Sequence, residues 1–424
     1  MTFLTINIPI APGVTLRALQ TDKFKTACFS VNFLRTHRAE TAAADALLPS
    51  VLLRGSSQYP DMQQISVRLD ELYGASFGTL VRRKGEISLT GFYADFIEDA
   101  FLPEGESIFA DMLAFLEDVL WHPVTEQGVF CEKFVEGEKQ NLINTIEATL
   151  NDKRSYAAQR MLEIMFRDEP YGVPRLGRVE DVERLTAEDL WKHYQDTLLR
   201  CPVEIFYAGR KSPEEAAAAF AKVFAQRREA VWETLQSSSF RPVSSLKEVS
   251  EPMDVTQGKL VMGLRTPIVQ GDSRYAALSL LNAVLGSGMT SKLFVHVREE
   301  RSLCYYASTA IEKYKGLLTI SSGIEFSDYE TAKDAILNEL EACKRGDITE
   351  QELESARLQV LSGLRMALDV PARLDDFYLG MAIQPGEDLP QHMERIRHLT
   401  VADLSEAART LQLDTIYFLK GVSE

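Results

Sequence analysis

The second half of this 424-residue sequence repeats the first. LTAEDLWKHY…VEIFYAGR, from Leu185, is echoed by LTVADLSEAA…TIYFLKG, from Leu399, and LYGAS, from Leu72, by CYYAS, from Cys304. The two echoes keep their order but differ in offset, so loops have changed length between the copies. A chain made of two copies must fold as two similar bodies, because neither copy can be all-helical or all-strand unless the other is too.

Periodicity gives the content of each copy. In the first, residues 14–20 and 26–33 alternate like strands, 41–53 and 60–72 follow a helical period, and 77–82 with 86–93 form a strand pair turning at Lys84-Gly85. Long helical patterns then fill 109–120, 127–150, 154–166 and 187–197, and 203–207 closes as a strand. The second copy has a strand at 260–265 and helices at 273–285 and 291–300. A strand pair at 304–310 and 317–322 turns at Lys315-Gly316, helical patterns occupy 329–408, and a last strand covers 415–419. Between the copies, the polar, Ser-rich stretch 229–255 reads as a connector in which Trp232 and Phe240 pack somewhere. The expected division is a domain at 1–228, a linker at 229–255 and a domain at 256–424, each domain α+β or α/β.

Charge narrows the partners. With 62 acidic against 46 basic residues the net charge is −16, which argues against nucleic acid and against an anionic membrane surface. No run of apolar residues is long enough to span a bilayer, and the amino terminus lacks a basic region before its apolar stretch. Five scattered cysteines, none in a CxxC pair, fit free thiols in a reducing compartment, so the expected location is cytoplasmic.

Several chemistries are tempting and fail on spacing. The six histidines are never paired one turn apart, so neither HExxH nor HxxEH is present, and His296 with Glu299 is half a zinc site with Arg298 beside it. The Gly-rich LGSGMTSKL, 285–293, lacks the contiguous Gly-Lys-Ser/Thr of a phosphate loop and reads as a turn between helices, with Thr290 or Ser291 as N-cap. No Ser or Cys has a His at suggestive spacing. That leaves Arg298, in the last turn of a helix, and Tyr305, seven residues on at the start of a strand. A guanidinium and a phenol brought together are two donors, suited to a peptide carbonyl. On residue pattern alone, a helix end with a favourable cation and a strand aromatic is the preferred reading of both.

The sequence resembles the M16 peptidase family (insulinase, pitrilysin, mitochondrial processing peptidase) along nearly its whole length. Gly286-x-Gly288-x-x-Ser291-x-Leu293-Phe294-x-x-x-Arg298-Glu299-x-Arg301-x-Leu303-x-Tyr305 is similar to the family's Gly-rich turn, helix and R-E-x-R-G-L-x-Y segment, with Ser302 where Gly is usual. GVTLRALQTDKFKT, LYGAS, NDKRSYAAQR and LGRVEDVERLTAEDLWKHY are M16-like in the first half. The resemblance implies an α+β fold of two homologous M16/LuxS-metallohydrolase-like domains, each a mainly antiparallel sheet packed with helices.

It also implies an emptied zinc site. Aligned on Arg54-Gly55, Ala46, Pro49 and Ser50 stand where the family's HxxEH has His, Glu and His, and Asn144 or Thr145 stands at the distal Glu. Those side chains supply neither metal ligands nor a base for water, so no metal is expected on this chain. Pro49 is expected to kink or redraw its helix. Arg298 and Tyr305 match the pair that contacts the substrate backbone in the family. The resemblance therefore implies a non-catalytic, substrate-binding subunit acting on peptides beside an HxxEH-containing M16 paralogue that carries the zinc. The alternatives it leaves open are a structural or regulatory scaffold, since related bacterial chains are linked by name to elongation factor P modification, and a homodimeric peptide clamp.

Overall fold

The computed structural model describes residues 5–227 and 232–422, and these form two compact units. The first unit comprises Met1–Glu147, Val173–Gln236 and Val370–Ile383. Its sheet contains β1 (Thr5–Ala11), β2 (Val14–Gln20), β3 (Thr26–Thr36), β4 (Ser76–Lys84) and β5 (Ile87–Ile97). After a small hairpin, β6 (Thr125–Glu126) and β7 (Val129–Phe130), it adds β8 (Val203–Gly209). The order is β1-β2-β8-β3-β5-β4, antiparallel throughout except for β2 beside β8.

Alternation along β3 decides what covers each face. Phe29, Val31 and Phe33 point into an aromatic core, where Phe29 meets Phe220 edge-on at 5.5 Å and Phe77 meets Phe115 at 5.0 Å. Ser30 and Asn32 point the other way and are just as buried, because the helix Pro371–Ile383 lies over them. Tyr378 of that helix stacks on Phe206 at 5.9 Å.

The second unit comprises Ala148–Gly172, Ser237–Asp369 and Gln384–Glu424. Its sheet contains β9 (Lys247–Met253), β10 (Gly258–Arg265), β11 (Tyr306–Glu312), β12 (Leu317–Ile324) and β13 (Gln412–Gly421), in the order β11-β12-β10-β13-β9. Only β9 and β13 run parallel. Strand for strand this is β4-β5-β3-β8-β2 of the first unit, with the single parallel pair in the same place. The duplication read in the sequence is therefore a duplication of topology.

The units differ from the contiguous division in two ways. The helix Lys153–Met165 belongs to the second unit, burying Ala157, Met161 and Met165 against Val261, Tyr417 and Leu419. The helix Pro371–Ile383 belongs to the first. Each follows the long helix of its own copy (Glu132–Ala148 and Glu350–Ala367), so the copies have traded equivalent helices. Second, the stretch 229–255 holds β9, and Trp232 packs its indole on Gly13 and under the Arg227 guanidinium at 4.7 Å. Residues 229–231 of that stretch lie outside the described residues. β9 reads as linker because an edge strand needs few apolar residues, and it even tolerates Pro252. No helix among the described residues is long and apolar enough to cross a membrane.

Candidate functional site

The segment that carries Arg298 and Tyr305 begins as the helix Tyr275–Asn282 and widens into π-helical turns at Ala283–Ser287 and again at Leu293–Glu300. Widened turns of this kind concentrate at functional sites. Gly286 is required by the packing, since a Cβ there would meet Thr309 Cγ2 at 2.6 Å. The Ser291 carbonyl accepts the first helical bond, from the Val295 N–H at 2.9 Å, while its hydroxyl donates back to the Gly288 carbonyl at 2.6 Å rather than accepting a helix N–H.

The chain then turns sharply at Ser302, whose φ of 53° lies in the left-handed region. This is the position where the resembling family has Gly, and the geometry gives the reason: only Gly adopts it without a Cβ clash. Past the turn, the Tyr305 N–H bonds the Gly323 carbonyl at 2.8 Å and β11 begins. Tyr305 and Tyr306 face opposite sides, as alternation requires. Tyr306 is half-buried with the Arg154 guanidinium over its ring at 4.2 Å, and Tyr305 is 60% exposed.

Arg298 and Tyr305 both line one cleft of about 400 Å³, with Glu299, Ser302, Leu303, Cys304 and Glu325 completing its wall. Tyr305 and Glu325 also border a neighbouring cleft of about 630 Å³ that includes Lys153, Gln257 and Lys259. The two donors are already engaged. Tyr305 donates its O–H to Glu325 Oε1 at 2.5 Å, which raises the phenol's pKa. Arg298 places its guanidinium over Phe294 at 4.6 Å and its Nε 3.5 Å from Glu299 Oε1. Burial pushes the Cys304 thiol up.

Glu325 was missed in the sequence. It follows β12 directly, where the hairpin register, with Tyr306 opposite Gly323, sets Ile324 and not Glu325 across from Tyr305, so counting back from the Lys315-Gly316 turn would not have paired the two. His296 is paired with Glu339 at 2.9 Å rather than with Glu299.

The zinc-helix positions lie in the first unit. The helix Ala39–Leu52 is continuous through Pro49, so the proline neither ends nor breaks it. Pro49 sits in the last turn, where Leu53 N–H still bonds its carbonyl at 3.1 Å. Ala46 and Pro49 are buried and Ser50 is half-buried. Thr145 donates to the Asn141 carbonyl at 2.8 Å, and Asn144 accepts from Gln140. A methyl, a pyrrolidine and two hydroxyls do not form a zinc donor set. The nearest carboxylate on the helix, Asp45, is held by His193 at 2.9 Å and by Arg35 at 3.5 Å. Among the described residues no three His, Cys, Asp or Glu side chains are grouped to hold a metal.

Comparison with known proteins places these observations. Residues 184–360 match the family described as Peptidase M16 inactive domain. A probable inactive metalloprotease of Bacillus subtilis, YmfF, is 32% identical over 96% of both chains. An uncharacterized zinc protease of Rickettsia bellii is 24% identical over 70% of this chain and 71% of its own. Among solved structures, a conserved protein from Enterococcus faecalis superposes with a TM-score of 0.92 at 30% identity over 99% of both chains. A peptidase M16 inactive domain from Pseudomonas fluorescens has the same fold, with a TM-score of 0.80 at 17% identity over 99% and 98%.

Proposed function

The chain belongs to the M16 peptidase family as an inactive metalloprotease homologue, and from that premise we propose that it is the substrate-binding subunit of a heterodimeric, zinc-dependent peptidase acting on peptides in the cytoplasm. The zinc and the hydrolytic step belong to an HxxEH-bearing paralogue, and this chain needs no metal of its own. The observation that carries the reading is a contrast: the four zinc positions hold no ligand chemistry, while Arg298 and Tyr305 line a single open cleft. A scaffold needs neither of those two exposed donors.

In the resting cleft Tyr305 donates to Glu325, so a substrate carbonyl takes that O–H by exchange, and it accepts a guanidinium N–H from Arg298, whose contact with Glu299 is a 3.5 Å ion pair. Exchange of one hydrogen bond for another is close to neutral in energy, and the site stays reversible.

The test is cleavage of a peptide by the pair reconstituted from this chain and the HxxEH paralogue encoded in the same genome. Arg298→Ala is expected to lower kcat/KM by about 100-fold and Tyr305→Phe by about tenfold. Unchanged rates in both variants would sink the substrate-contact role. Stoichiometric zinc and chelator-sensitive cleavage by the purified chain alone would sink the division of labour.

A further inference from the structure

Tyrosine–glutamate pairs recur in the second unit, and two of them show what completes such a pair. Tyr329 donates to Glu248 Oε1 at 2.6 Å, and the Lys333 ammonium bonds the same oxygen at 3.1 Å while sitting 4.9 Å over the Tyr329 ring. Tyr417 donates to Glu251 Oε2 at 2.9 Å, and Arg160 approaches both oxygens of that carboxylate at 3.1 Å. In each, a phenol and a cation share one carboxylate, which removes the charge the phenol alone cannot neutralise.

Tyr305 and Glu325 repeat the pair without the cation. Glu325 Oε1 accepts from Tyr305, and among the described residues no Lys or Arg pairs with Glu325. The neighbouring cations have other partners. Arg298 is with Glu299, Lys153 donates to the Leu150 carbonyl at 2.6 Å, and Lys259 donates to Gln257 at 2.5 Å. The Tyr305 ring is open to solvent, and both it and the carboxylate border the two clefts. On the next residue of the same strand the molecule already seats an arginine on a tyrosine, Arg154 on Tyr306.

We propose that Glu325 and the exposed face of Tyr305 form a receptor for one cationic side chain, lysine or arginine, of a bound peptide, so that this chain selects basic peptides. The proposal rests on the peptide-binding reading above and names its substrate class. The incoming ammonium or guanidinium meets Glu325 as Lys333 and Arg160 meet their carboxylates, and it replaces the Tyr305 O–H as that donor passes to the substrate carbonyl. It bonds the Glu325 carboxylate and lies over the ring, while the peptide backbone reaches toward Arg298 in the same cleft. An acidic protein of net charge −16 attracts such a peptide from a distance as well.

The experiment measures binding to the full isolated chain by fluorescence anisotropy. The probes are short, acetylated and amidated peptides identical except for a central lysine, arginine or norleucine. A fourth carries norleucine and a free amino terminus. Exposed ion pairing and ring contact together predict that the lysine and arginine peptides bind about 5- to 10-fold tighter than capped norleucine. Glu325→Gln is expected to bring that ratio close to one. Glu106→Gln, which alters the equivalent exposed pair with Tyr73 in the first unit, is expected to leave it unchanged. Equal affinity for all peptides, no binding of any, or a ratio that survives Glu325→Gln overturns the receptor. So does a free-amino norleucine peptide that matches the lysine peptide, since the cation would then be the peptide terminus. The measurement needs no partner and no cleavage. Selectivity can therefore fail while Arg298→Ala still slows the reconstituted enzyme, and the reverse.

Discussion

Arg82 donates to Asp375 at 2.6 Å, and the carboxylate it holds is completely buried. Asp375 also accepts from Ser30 at 2.5 Å, so one aspartate ties the helix Pro371–Ile383 to β3 and β4. Burial raises its pKa and Arg82 opposes that rise. Removing the carboxylate strands a mostly buried guanidinium. Asp375→Ala is expected to lower unfolding stability by about 3–5 kcal/mol, and Asp375→Asn by less because the amide still accepts from Arg82. Urea titration of the two variants checks the order.

Ser302 tests the opposite direction. Its left-handed backbone is strained by a Cβ, and glycine removes the strain at the price of a more flexible unfolded chain. Ser302→Gly is expected to stabilise the protein by roughly 0.5–1 kcal/mol, read as a higher urea midpoint at unchanged slope.

Gly263 on β10 is pressed by the traded helix Lys153–Met165. A Cβ there would meet Met165 Sδ at 2.4 Å and Met161 Sδ at 2.7 Å. Gly263→Ala is expected to destabilise by about 1–3 kcal/mol. Adding Met165→Ala should make the pair of substitutions less damaging than their sum, and a double-mutant cycle measures the difference. Simple additivity would mean the helix does not press on this glycine.

Glu204 on β8 sets a pH dependence. Burial raises its pKa to about 7 from 4.5, and Arg17 opposes the rise. A carboxyl with a raised folded pKa binds its proton more tightly in the native state. Its contribution is therefore complete below about pH 4.5 and lost as pH rises through about 7. Between those limits the wild type should lose on the order of 2 kcal/mol relative to Glu204→Gln, with no further divergence above pH 8. Denaturant titrations across that range read it directly.

The strands with an apolar core face and a turn signal at the end were legible, whereas β1, the short β6–β7 hairpin and the edge strand β9 were not. The Lys84-Gly85 and Lys315-Gly316 turns are where expected, with both glycines at positive φ. The trade of helices was not legible. Met161 and Met165 announce a buried face but not which sheet receives it, and periodicity carries no address. Ser30, Asn32 and Asp375 are polar, and periodicity does not mark them as interior, because Ser30 meets Asp375 across 345 residues and Asn32 is buried beside them through its bond to Ser30. At the cleft, Arg298 and Tyr305 were visible through a motif. Glu325 was invisible because a lone Glu after a strand looks like any solvated residue, and its contact with the phenol is a side-chain bond one residue out of the hairpin register.

The traded helices also govern the order in which the protein can be made. The first unit lacks its Asp375 anchor and the cover over Ser30 and Asn32 until Pro371–Ile383 has left the ribosome. Domains of most chains close in turn as they emerge. Here the first-born sheet must wait, one face bare, for a helix that begins at Pro371, long after its last strand ends at Gly209.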